Sequence, residues 1–151
     1  MEGNPMSLAT ISRKPDLTML VFGEPEGQAR PRATRRGKHI GIYSPKSRWY
    51  YAVMGMAQEH AIQNNTIPIP DPVTVALYFR MKRIKSLPKT KEIPHCKKPD
   101  IDNLAKAFLD AITPVILADD KQVVELHVSK RYALKEEQPG CICNIYKKGN
   151  P

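Results

Sequence analysis

No apolar run in this chain approaches the ~20 residues that a helix needs to cross a bilayer. The opening stretch, MEGNPMSLATISRKPD, also lacks the charged start and apolar centre of a signal peptide. A soluble, cytoplasmic protein with no membrane partner is expected. Cysteine is scarce: Cys96, Cys141 and Cys143 are an odd number without framework spacing, which fits free thiols in a reducing compartment. His95-Cys96 with Cys141-x-Cys143 offers four zinc-capable side chains but no CxxC knuckle, so buried strand cysteines are the simpler reading. Acids are the minority charge, 15 against 24 Lys+Arg, giving a net charge of +9. Such an excess makes a polyanion the first partner to consider, because each Lys or Arg set on a phosphate releases condensed counterions.

What is present suffices for one domain. At 151 residues and 41% hydrophobic content the chain can bury a real core, and no internal repeat interrupts it. Residues 1–15 mix Gly, Pro, Ser and charge without periodicity and read as a mobile tail; 16–148 read as a single domain. Leu17 to Phe22 is an apolar strand stopped by Gly23 and Pro25. GQARPRATRRGKH is too polar to pack and too interrupted for a helix, so it reads as a basic loop before a short strand, Ile40 to Tyr43. Ser44-Pro45 reads as an N-cap and first helical residue. The helix that follows carries Trp49, Val53, Met56 and Ala57 on one face and stops at Asn64-Asn65.

PVTVALYFRMKR alternates as a strand, with Val73, Val75, Leu77, Phe79 and Met81 on one face. A second basic loop follows. From Asp100 onward, Ile101, Leu104, Ala105, Phe108, Leu109 and Ile112 form an apolar stripe at helical spacing, ended by Pro114. Val124, Leu126 and Val128 then alternate in a strand reaching Tyr132, and CICNIY is the last strand. The expected class is α+β, a mixed β-sheet packed with two main helices in the order β-(β)-α-β-α-β-β.

The acids gather unevenly, in Asp100/Asp102 and Asp119/Asp120. Capping, helix-dipole and turn chemistry account for such residues in many proteins, and Asp102 with Lys106 makes an ordinary i,i+4 pair. The alternative is a metal site. About 17 residues separate Asp102 from Asp119, room for a three-turn helix and a return to the sheet, so the two pairs are expected to meet. Converging carboxylates repel unless a divalent cation compensates them, and an all-oxygen set without His or Cys favours Mg²⁺, with Mn²⁺ as a substitute. Basic loops beside such a pocket suit phosphodiester cleavage, with Lys106 near enough to touch the scissile phosphate.

KPDIDNLAKAFLDAI followed by ILADDKQVVELHVSKRY resembles the RusA family of Holliday junction resolvases, small endonucleases common in bacteriophages and prophages. GEPEGQARPR and YSPKSRWYY resemble that family's N-terminal pattern, so the likeness runs from Gly23 to about Tyr132. The resemblance implies a homodimeric, Mg²⁺-dependent endonuclease that nicks four-way DNA symmetrically in recombination and repair. It matches Asp100, Asp102 and Asp120 to catalytic, metal-binding aspartates, Asp119 to a neighbouring acid, and Lys106 to the catalytic-site lysine; the pairing of the acids adds Asp119 to the expected metal set. Arg30 and Arg32 match an Arg-Pro-Arg that contacts DNA; Arg35, Arg36, Lys38, Lys97 and Lys98 extend the expected DNA-binding set. Where similar sequences often carry a lysine before Arg-Pro-Arg, this chain has Gly27, Gln28 and Ala29. The competing readings are a junction-binding module that does not cleave and a nuclease for other branched DNA.

Overall fold

The structure, a computed structural model, describes residues 13–29, 32–43, 45–88 and 91–149. The expected tail therefore lies mostly outside the described residues. Among the described residues, six strands and two helices form in the order β1 (Leu17–Phe22), β2 (Arg32–Arg36), β3 (His39–Tyr43), α1 (Arg48–Gln63), β4 (Val73–Met81), α2 (Ile101–Ile112), β5 (Val123–Tyr132), β6 (Gly140–Lys147). A single 3-10 turn, Asp120–Gln122, leads into β5. The mixed α+β class and the two main helices are as expected.

Four strands form one sheet in the order β1-β6-β4-β5. β6 pairs antiparallel with both β1 and β4, whereas β4 and β5 run parallel. Parallel neighbours require a crossover, and α2 supplies it. Both helices pack on one face, where Met19, Val21, Val75, Leu77, Phe79, Cys143 and Ile145 meet Trp49, Val53, Leu104, Phe108 and Ile112. Phe108 sits centrally, its ring centroid 6.4 Å from Trp49 and 6.2 Å from Phe79, edge-on to the latter. Burying side chains of this size contributes roughly 1.5–3 kcal/mol each. α2 earns its place through Leu104, Ala105, Phe108 and Ile112 of the expected stripe, joined by the buried Ala107 and Ala111; Leu109 is partly buried, and Ile101, at the start of the stripe, is exposed.

Two local expectations are corrected. The first basic loop contains a strand: β2 pairs with β3 from Arg32↔Tyr43 to Arg36↔His39, a hairpin separate from the main sheet. Its two-residue turn begins at Gly37, whose φ of +59° is the left-handed conformation glycine adopts at no steric cost. The N-cap of α1 is Ser47, whose hydroxyl accepts the Tyr50 N–H at 3.0 Å, and not Ser44. Ser44 itself lies outside the described residues.

Cys141 and Cys143 are buried on the core face of β6, while Cys96 is exposed. Burial pushes the Cys143 thiol up to about 12 and raises Cys141 as well, so neither forms a reactive thiolate near neutral pH. Native protein should therefore present one fast-reacting thiol per chain to Ellman's reagent, and three after denaturation; a second fast thiol in the folded state would contradict this packing.

At the far end of β5, Arg131 donates to both carboxylate oxygens of Glu137, at 2.8 and 3.1 Å, with Arg80 3.4 Å away. Burial raises the Glu137 carboxyl, but the Arg131 hydrogen bonds, the Leu134 N–H and the nearby guanidinium charges outweigh it, and the net shift is downward. A depressed carboxylate stabilises the fold above its unfolded pKa and loses that contribution as pH falls through its folded value. Glu137→Gln is expected to lower stability by about 1–2 kcal/mol at pH 7. In urea melts across pH the gap from wild type should stay level above about pH 5 and close in stronger acid. A gap that persists there would remove the charge from the explanation.

Candidate active site

The long basic loop ends at α2, and the chain holds that junction firmly. Lys130 on β5 donates its ammonium to the Lys97 and Pro99 carbonyls at 2.6 and 2.7 Å. Asp100 is the N-cap residue, with extended backbone, yet its side chain makes no capping hydrogen bond. The capping role expected of Asp100 is thus positional only. Asp102 in the first turn and Lys106 one turn later are both exposed, and the ion pairs among the described residues do not join them. Side chains four apart on a helix share one side of it, so Lys106 projects beside Asp102 without being neutralised by it.

Asp119 and Asp120 divide their work differently. Asp119 caps the 3-10 turn, its carboxylate accepting the Lys121 N–H at 3.0 Å, and Gln122 closes the reciprocal capping box. The Lys121 N–H is the main reason the Asp119 carboxyl lies below its ordinary value. Gln122 also donates to the Ile69 and Asp71 carbonyls at 2.7 and 2.9 Å, which pins this turn beside the start of β4. Asp120 is exposed.

The two acidic pairs do not meet within one chain. α2 starts beside the end of β5, where Lys130 grips Pro99, and finishes beside the start of β4, where Ile69 bridges to Leu117. Twelve helical residues span about 18 Å. Asp100/Asp102 and Asp119/Asp120 therefore occupy opposite ends of the helix, and among the described residues no three His, Cys, Asp or Glu side chains are gathered closely enough to hold a metal ion. This corrects the expected convergence, and the cause is the parallel pairing of β5 with β4. Asp100 and Asp102 still suit Mg²⁺, which commonly keeps several waters and takes one or two carboxylates plus substrate phosphates: both are exposed, and the Asp100 carboxylate is not consumed as a cap.

Asp100 lines a cleft of about 1110 Å³ between the β1–β2 connection, the start of α1 and the end of β4. Arg48, Lys82 and Lys98 bring positive charge to its wall, and Glu24 and Glu26 bring negative charge. His95, also on the wall, is buried edge-on against Tyr132 at 4.8 Å. Burial, then the charges of Lys130 and Lys97, hold its imidazole below the ordinary value, so it is neutral at pH 7. Lys97 and Lys98 are exposed before α2; Arg35, Arg36 and Lys38 are exposed on the hairpin. Arg30 lies outside the described residues, and only the backbone of Arg32, in β2, is described.

Sequence reasoning missed the clip that joins these parts. Asn103 accepts the Gln28 N–H at 3.2 Å and donates to the Gln28 carbonyl at 3.4 Å, while the Gln28 side chain donates to Asp110. The approach is close because residue 27 has no side chain: a Cβ there would lie 2.8 Å from the Asn103 Cγ. Gly27 and Gln28 thus fasten the root of the basic hairpin to the acid-bearing turn of α2. The signal available was Asn103 itself, an amide immediately after the two aspartates.

Residues 23–145 match the family model described as Endodeoxyribonuclease RusA. The chain belongs to the RusA family. It is also 33% identical over 121 residues to a Bacillus subtilis (strain 168) protein named "Uncharacterized protein YqaN", a match covering 75% of this chain and 85% of that protein. As a RusA-family endodeoxyribonuclease, the chain is a DNA-cleaving enzyme of a family that resolves Holliday junctions and acts on branched DNA in recombination. No helix among the described residues is long and apolar enough to cross a membrane.

The clip has a measurable signature. Gly27→Ala is expected to cost about 1–2 kcal/mol, because the added methyl displaces the Asn103 amide, and Asn103→Ala a similar amount through its two hydrogen bonds. The double variant should cost no more than Asn103→Ala alone, since the clash then has no target. Urea denaturation of all four proteins checks this; simple additivity would rule out the contact.

Proposed function

We infer that this RusA-family enzyme is a Mg²⁺-dependent homodimer that nicks four-way DNA symmetrically, with each active site drawn from two chains. The observation that carries the reading is the separation of the two acidic pairs to opposite ends of α2 and β5. A second observation supports it. β5 is an edge strand of the sheet, its outer side paired at the far end, where Pro94 bridges to Arg131 and the Tyr132 N–H donates to the Ile93 carbonyl; over the remainder, with Val124 56% and Leu126 43% exposed, it is the kind of edge that invites another strand. Two β5 strands paired antiparallel across a dyad would bring the start of each against the end of the other. Asp119/Asp120 of one chain would then face Asp100/Asp102 of its partner, twice, as a C2 arrangement demands.

In such a site Asp100, Asp102 and Asp120 are the metal-holding carboxylates, with Asp119 beside them. The metal, when bound, supplies Lewis-acid stabilisation of charge on the reacting phosphate and a more acidic water. Lys106 sets an ammonium against the developing phosphate charge. Arg30, Arg32, Arg35, Arg36, Lys38, Lys97 and Lys98 hold the backbone of the branched DNA through charge-assisted contacts.

The test is cleavage of a labelled synthetic four-way junction in Mg²⁺. Wild type should give paired symmetric nicks. Asp102→Asn and Asp120→Asn alone should each lose activity by roughly two to three orders of magnitude. Mixed and refolded together, the two variants form heterodimers with one intact site, and part of the nicking should return. Failure of wild type to cut would defeat the resolvase reading. Cutting by wild type with no rescue in the mixture would instead put all the carboxylates of a site in one chain.

A further inference from the structure

We propose that the β2–β3 hairpin carries an apolar wedge, Ile40 and Ile42, that packs on the exposed base faces at a DNA branch point; this rests on the branched-DNA reading above. The hairpin forms a two-stranded sheet of its own. Strand pleating sends Ile40 and Ile42 to the same face, opposite Arg35 and Ala33, while Arg36, His39, Thr34 and Gly41 share the other. The two isoleucines are 68% and 76% exposed. Strand propensity alone does not call for them, because threonine has comparable propensity at lower apolar cost.

The charge pattern selects the occupant. From residue 27 to residue 58 the sequence holds seven Lys and Arg and no Asp or Glu. A second copy of a chain with net charge +9 would be repelled from this arm, whereas a polyanion is drawn to it. A two-stranded ribbon fits a DNA groove, and isoleucine is among the side chains that proteins insert between base steps. At a four-way point the terminal base pairs of the arms can unstack and offer apolar faces that a continuous duplex covers. The arm is rooted where such contact would matter, because the Gln28–Asn103 clip ties its base to the turn of α2 that bears Asp100 and Asp102. Cationic residues on the ribbon would hold phosphates while the isoleucines occupy the opened centre.

The experiment uses the full chain in EDTA, which prevents cleavage, with a four-way junction carrying 2-aminopurine beside the crossover and a linear duplex of matched sequence. Wild-type protein should prefer the junction and raise its fluorescence several-fold. The Ile40→Thr/Ile42→Thr variant should lose more than half of that rise and bind the junction about five- to ten-fold more weakly. Its salt slope should be unchanged, because the phosphate contacts remain. An Ile40→Leu/Ile42→Leu variant should keep the wild-type signal, which separates apolar contact from hairpin folding. Equal unstacking and affinity in the Thr variant would overturn the wedge. So would loss of dimer in sedimentation velocity with the fluorescence rise intact, since the face would then cover a second copy. A wild type without junction preference would overturn the branched-DNA reading itself.

Discussion

The parallel pairing of β4 with β5 is the constraint from which the rest follows. Two parallel neighbours cannot be joined by a tight turn; the chain must travel back along the sheet before the second strand begins. Here α2 makes that journey, with its buried stripe against Leu77, Phe79 and their neighbours. Whatever lies at the start of α2 is then at one end of the sheet, and whatever precedes β5 is at the other. The acids were put there by sequence order, but their separation is a consequence of strand direction. An antiparallel β5 would have started beside Asp100 instead.

This explains which parts of the molecule could be read in advance. Hydrophobic periodicity marks elements that bury a face, so β1, β4, α2 and β6 stood out, with Gly23, Asn64 and Pro114 as stops. β2 did not, because Arg-Ala-Thr-Arg-Arg buries nothing and therefore has no apolar alternation; only Gly37 before Lys38 hinted at a hairpin turn. Ser47 and Ser44 compete as caps three residues apart, and the hydroxyl that reaches the Tyr50 N–H wins. Strand direction leaves no local trace at all, since both directions have period two. The family resemblance named candidate acids for the site, whereas the spatial relation between them depended on pairing that one sequence does not display.

Cross-element hydrogen bonds were equally silent. Asn103 and Gln28 are 75 residues apart, and Gln122 reaches Ile69 across 53. Neither leaves a periodic signal, yet the first fixes the basic arm to α2 and the second fixes the Asp119-Asp120 turn to β4. Both polar side chains grip backbone groups. A backbone anchor fixes position with little dependence on what the neighbouring side chains are, so the loops can vary around a constant frame.

The separation of the acids also bears on how the fold tolerates them. Four carboxylates facing one another in a single unliganded chain would repel at low effective dielectric, and one or more would have to take up a proton. Split between two ends, they cost the folded monomer little: Asp100 and Asp102 lie at a helix start, where the dipole favours negative charge, and Asp119 completes a capping box. On the two-chain reading, the repulsion arises only when partners assemble, and there a divalent cation and the surrounding lysines are available to offset it. Assembly and metal binding would then be linked by the same charges, each strengthening the other. On that reading the acids of one chain would become a catalytic set only in the company of a second, which would confine hydrolysis to the complex that can cut both strands.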